Sequence, residues 1–147
     1  MGLTDHEQRV VRAIGQALFP RDRVIDADAD DVGLVGWVED YLWRMPPSAR
    51  TQIRALLRTF DLGYTAWAAR PSARFIAARP ADQTAYIDSW IESPTYVQRM
   101  LFEALWTVLA FGYVEQAEQQ GRIAQGRSRV ASVAAPEEAP AAAEESA

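Results

Sequence analysis

Residues 95–120 read TYVQRMLFEALWTVLAFGYVEQAEQQ, and the architecture of the whole chain depends on what this stretch becomes. Positions 104–114 are eleven consecutive residues without a charge, bounded by Glu103 and Glu115. Branched, aromatic and small side chains cover every side of the helix they would form. A helix that is apolar all round is buried, in a protein core or in a membrane. Eleven residues fall well short of the roughly 18 that cross a bilayer. The stretch is therefore expected to be a central helix, covered by the rest of this chain or by a partner protein.

The remaining 121 positions supply material for one domain in a chain of 147 residues. Hydrophobic residues make up 49% of it, with five Trp, five Tyr and five Phe, ample for a core at this size. A formal charge of -5 argues against a broad nucleic-acid or anionic-membrane surface. All fifteen basic residues are Arg, so neither a Schiff-base lysine nor a P-loop lysine exists. The absence of Cys removes disulfides, thiolate metal sites and thiol catalysis. The N-terminal MGLTDHEQRV lacks a basic segment followed by an apolar run, so a cytoplasmic protein is expected.

Outward from the central stretch, the other segments read as helices. Thr4 and Glu7 form a capping box, followed by Val10, Val11, Ile14, Ala17 and Leu18 at helical spacing up to Pro20. The acidic RDRVIDADADD has no apolar face and predicts a solvated loop, with Asp30 or Asp31 capping a second helix over 32–43. Ile53, Leu56, Leu57, Phe60, Tyr64 and Trp67 mark the third, with Arg50, Arg54 and Arg58 on its polar face. Gly63 inside it suggests a neighbour packed closely. A short helix is expected within 72–79, and a fourth after Asp82 that buries Tyr86, Ile87, Trp90 and Ile91. Sequence alone thus predicts an all-α bundle of five or six helices around the central apolar one. The domain is placed at 1–121, and 122–147, rich in Ala, Pro and Glu, is expected to be disordered.

The catalytic inventory is thin. His6 is the only histidine and falls in the first turn of helix one, which predicts a solvated side chain. Asp26, Asp28, Asp30 and Asp31 cannot complete an EF-hand: its Gly and Glu positions are taken by Asp31 and Trp37. No Glu-x-x-His pair is present for a di-iron site. The arginine stripe predicts a solvated face paired with Asp40 or Asp61. No catalytic, cofactor-binding or metal-binding residue is expected in this chain. Aromatic and Arg residues are, however, what protein interfaces favour.

In their order, several segments carry a resemblance to a known family. They are LTDHEQRVVRAIGQALFP, an acidic loop, VGLVGWVEDYL, a helix ending LLRTFD, YIDSWIESP and RMLFEALWTVLAFGYVE. This pattern, over roughly residues 3–115, resembles the small-subunit family of membrane-linked gluconate 2-dehydrogenase, called subunit 3. The resemblance implies an accessory subunit that supports a large flavoprotein of the glucose-methanol-choline oxidoreductase type. That partner would hold FAD and oxidise an alcohol or sugar; the small subunit would hold no cofactor, in a hetero-oligomer. Family members commonly carry a twin-arginine export leader; this sequence departs from them in showing none, and from that departure a cytoplasmic complex is expected. The other class of reading is a free-standing helical interaction module.

For docking, one stripe of the central helix stands out: Phe102, Trp106, Leu109 and Tyr113, flanked by Arg99. It is aromatic, and Trp and Tyr suit sites that are apolar at one end and polar at the other. The stripe Leu101, Leu105, Val108 and Gly112, about 100° away, is aliphatic and is expected to face the chain's own core.

Overall fold

A computed structural model describes residues 2–22 and 24–123, and among these every regular element is helical. In chain order they are α1 (Asp5–Leu18), α2 (Leu34–Arg44), α3 (Pro47–Trp67), a 3-10 turn (Phe75–Ala77), α4 (Pro80–Ile91) and α5 (Tyr96–Gln119). The expected disorder of the C-terminal tail concerns residues that lie, from 124 on, outside those described. Arg122 and Ile123 still belong to the folded part: Arg122 donates to the Asp26 carbonyl, and Ile123 packs on the core.

The capping box starts α1 as its sequence requires, with Thr4 N–H donating to Glu7 and Glu7 N–H to Thr4 Oγ1. Val10, Val11 and Ile14 are then carried into the interior, where α1 packs against α2, α3, α4 and the 3-10 turn. Helix α2 starts later than expected and without an acidic cap. Gly33, with φ of 73°, stands at its N-cap, while Asp28 Oδ1 accepts the N–H groups of Asp30 and Asp31 in the preceding turn. Asp30 instead binds Arg12 and Gln16, and Asp31 binds Arg21. Arginine thus neutralises the acidic loop and ties it down.

The core centres on Phe60. Its ring lies 4.9 Å from Phe75, 4.9 Å from Tyr86 and 5.1 Å from Trp90 in tilted or edge-on geometries, and stacks on Phe102 at 5.9 Å, arrangements that aromatic quadrupoles favour. Gly63 earns its place here: a Cβ would sit 2.6 Å from the Tyr86 hydroxyl, which donates to the Phe60 carbonyl at 2.7 Å. Gly112 has the same role on α5, since a Cβ would come within 2.3 Å of the Trp37 ring. That close approach seats α2 against α5. Two expectations about α3 and α4 fail. Trp67 and Ile91 were assigned to buried faces, but both end their helices and are exposed, Trp67 with only one side against Tyr64 and Tyr86.

Candidate partner-binding surface

Helix α5 has one covered side. Phe102, Leu105, Leu109, Gly112, Tyr113 and Ala117 are buried, following the 3.6-residue period of a helix with one inward face. On the opposite side Tyr96, Val97, Met100, Leu101, Phe111 and Val114 are exposed, Phe111 at 62%. The all-round burial expected for this helix is not achieved within the chain. α2 and α4 flank it, and nothing described lies over its outer side.

The expected aromatic docking stripe is therefore split. Phe102, Leu109 and Tyr113 face the core, Leu109 with no exposure at all, so they are corrected from docking to core residues. Tyr113 uses its polar end internally: the hydroxyl donates to the Ala27 carbonyl at 2.7 Å, and the ring stacks 4.7 Å from Phe19. Burial raises the pKa of that hydroxyl, helped by Asp22, Asp28 and Asp31 nearby. Trp106 and Arg99 remain outside, Trp106 at 45% exposure. The aliphatic stripe splits as well, since Leu105 and Gly112 are buried while Leu101 is exposed and Val108 half-buried. The buried ridge takes three of the four residues of the aromatic stripe and two of the four of the aliphatic one.

Trp106 helps form a groove of about 340 Å³ where the end of α4 meets α5, lined by Ile91, Arg99, Phe102, Glu103 and Trp106. Phe102, buried beneath, provides an apolar floor. Arg99 is held at the rim: it donates through Nη1 to the Ser93 carbonyl, and its guanidinium lies 6.0 Å from the Tyr96 ring centre. Ser93 Oγ in turn accepts from Thr95 N–H at 3.1 Å and donates to Gln98 at 2.8 Å, which fixes the α4–α5 turn. The groove offers a half-exposed indole, an exposed Ile91 and an anchored guanidinium. These suit a protein surface that fills an apolar depression and brings a carboxylate to its edge.

The polar residues of α1 and α3 come together in a way that sequence reasoning missed. Glu7 is completely buried, and its carboxylate accepts from Thr4 N–H at 2.8 Å and Arg54 Nε at 3.0 Å, with Arg58 Nε paired to it at 3.0 Å. Burial pushes this carboxyl up, but the hydrogen bonds and charge of Arg54 with the Thr4 N–H outweigh it and hold the group below its ordinary value. Arg54, half-buried, and Arg58, whose side chain stays exposed on its outer side, thus clamp α3 to α1. Arg50 closes α2, donating to the carbonyls of Leu42, Trp43 and Met45 while stacking 4.7 Å over Trp43. The signal was available: three arginines at i+4 steps opposite a capping-box glutamate are also the pattern of an interhelical clamp.

His6 is not merely solvated. Its Nε2 lies 3.1 Å from Oδ2 of the fully buried Asp61, without hydrogen-bonding geometry, and Arg74 Nε approaches the same oxygen at 3.9 Å. Asp61 Oδ1 accepts the Ile76 N–H at 3.2 Å and so tethers the 3-10 turn. The contacts at this cluster join α1 to α3 and α3 to the 3-10 turn, with Arg74 also donating to Thr65 Oγ1 at 2.8 Å. Among the described residues no group of three or more His, Asp or Glu side chains converges as a metal site, and no helix is long and apolar enough to cross a membrane.

Compared with known proteins, the chain matches no family model, no curated protein and no solved structure.

Proposed function

We propose that this chain is a non-catalytic helical subunit that docks on a larger protein through the α4–α5 groove around Trp106. The observation that carries the reading is the groove itself, with Trp106 and Ile91 exposed above Phe102 and Arg99 anchored at its rim. Trp and Arg are the residues that most often dominate binding energy at such sites. The conspicuous polar groups, by contrast, are spent on structure: Glu7 with Arg54 and Arg58, Asp61 with the 3-10 turn, and Tyr113 with the acidic loop. The sequence resemblance names the partner class as a large FAD-dependent dehydrogenase or oxidase of the glucose-methanol-choline type. FAD and the alcohol-oxidising chemistry belong to that partner.

Co-purification of the full chain from its native host, followed by mass spectrometry and a flavin absorption spectrum, tests this reading. A yellow large partner supports it; recovery of the chain without a partner overturns it. With the partner in hand, Trp106→Ala is expected to weaken assembly by roughly 2 kcal/mol or more, the size of an interface hot spot. The second reading, a free-standing interaction module, is favoured by the closed aromatic core around Phe60, which is complete within the chain. A sharp thermal transition without binding of a hydrophobic dye would support the module; dye binding or aggregation would support an obligate subunit.

A further inference from the structure

On the outer side of α5, Val97, Met100, Ala104, Thr107, Phe111 and Val114 are all exposed. Their spacing alternates three and four residues without a break, the a/d repeat of a coiled-coil seam. The strip runs roughly 27 Å at 1.5 Å per residue, so it is a seam for another helix and not a scatter of surface apolar groups. We infer that it is the interface with a second copy of this chain, with the two α5 helices packed antiparallel across a two-fold axis. This goes beyond the groove reading, because Trp106 lies roughly 120° around the helix from the seam.

Self-complementarity of the seam carries the choice of a second copy. Antiparallel pairing about the midpoint sets Ala104 against Thr107 of the other copy, Met100 against Phe111, and Val97 against Val114. The small pair falls at the centre, where two helix backbones come closest, and the long flexible Met meets the large ring on either side. A two-fold axis requires the same patch on both partners, and this strip fulfils that on its own.

Charge decides the orientation. The first turn of α5 contains no acidic residue and its N-cap Thr95 makes no side-chain capping bond, while Glu115 and Glu118 lie in the last turns. An antiparallel seat brings these carboxylates of one copy beside the positive N-terminal end of the other helix; a parallel seat would stack acid on acid. Area sets the strength. A seam of this length joined by Tyr96, Leu101 and Val108 reaches only the lower edge of specific interfaces, about 1,200 Å² in total. The dimer is therefore reversible and dependent on concentration.

The test is sedimentation of the full chain over a dilution series, beside the double variant Met100→Glu with Phe111→Glu and the variant Trp106→Ala. The expected result is a monomer–dimer equilibrium for the wild type and for Trp106→Ala, and a monomer at every concentration for the double variant with unchanged helical circular dichroism. Orientation is read separately, since the sequence has no Cys of its own. Met100→Cys mixed with Phe111→Cys should give disulfide-linked heterodimers under mild oxidation, while neither variant links to itself. A monomeric wild type, or a dimer that survives the double substitution, overturns the proposal. So does self-linking of Met100→Cys, which would mean a parallel pair. Loss of flavoprotein capture in the double variant, with the wild type monomeric, would give the seam to the heterologous partner. Loss of capture in Trp106→Ala alone bears only on the groove.

Discussion

Between α1 and α3 a carboxylate is fully buried, while on the outer side of α5 a phenylalanine is 62% exposed. The two regions invert the usual sorting of polar and apolar residues, and partners explain both. Glu7 can be buried because Arg54, Arg58 and the Thr4 N–H occupy its oxygens at hydrogen-bonding distance. Phe111 is exposed because nothing in the described chain reaches over it beyond the edge of Trp37, 5.9 Å away between ring centres. One region is closed within the chain, and the other is left uncovered by the described residues, where the proposed assembly would place a second surface. Substitutions in the first should act on folding, and substitutions in the second on assembly.

The largest effect is expected at the clamp. Arg54→Ala would leave Glu7 buried with part of its charge uncompensated, which costs about 3–5 kcal/mol. Urea unfolding measures it, and adding Glu7→Gln should recover part of the loss, because a neutral amide tolerates burial better. The same clamp has a pH signature. A carboxyl held below its ordinary value in the folded state contributes its full stability at neutral pH. That contribution is lost as pH falls through the folded value, so the acid limb of the stability curve should flatten in Glu7→Gln. A wild-type acid limb unchanged by this substitution would place the clamp outside the folding energetics.

Next in size is the inner side of α5. Leu105→Ala removes a buried side chain and should cost about 2–5 kcal/mol, seen as a lower melting temperature of the isolated chain. A smaller alkaline effect comes from Tyr86, whose hydroxyl is pushed up to about 12 by burial while it donates to the Phe60 carbonyl. The unfolded chain ionises this group near its ordinary value of about 10, so it binds fewer protons than the folded chain above that pH. Stability should then fall as pH rises from about 10 to about 12, by roughly 2–3 kcal/mol in all. Tyr86→Phe should flatten that slope, leaving the part due to Tyr113, as stability measured across this range would show.

Much of the fold was legible because α1, α3 and α4 each have a phase. Val10, Val11 and Ile14, then Leu57, Phe60 and Tyr64, then Tyr86 and Trp90 fall on inward faces that periodicity alone assigns. Gly63 likewise signalled the close neighbour that Tyr86 proves to be. Helix α5 has no such phase: with apolar residues on every side, its own sequence cannot say which face turns inward. That is settled by residues far away in the chain, Trp37 against Gly112 and the Ala27 carbonyl receiving Tyr113. The docking residues were misassigned for this reason, and only Arg99 and Trp106 of the five proved exposed. His6 was misread, and the burial of the capping-box Glu7 was missed, for the same reason, since their environments are made by Asp61, Arg54 and Arg58 on α3. What a charged side chain does depends on which helix crosses it.

The smallest effect, and the sharpest test of the contrast, is Trp106→Ala in the isolated chain. Trp106 follows Leu105 directly, so the two side chains leave α5 about 100° apart, one into the core and one over the groove. Truncating Trp106 uncovers part of the Phe102 ring beneath it, which is a loss, but the outer part of the indole already faces water and its removal costs nothing. The net cost should be about 1 kcal/mol, near the centre of the range for single substitutions and well below that of Leu105→Ala. Urea unfolding of both variants at neutral pH decides it, with equal slopes against denaturant showing that the same surface is exposed in each. If Trp106→Ala destabilises the isolated chain as much as Leu105→Ala does, the indole is a core residue in solution. The groove then closes over it, and the docking site must be sought on the seam instead.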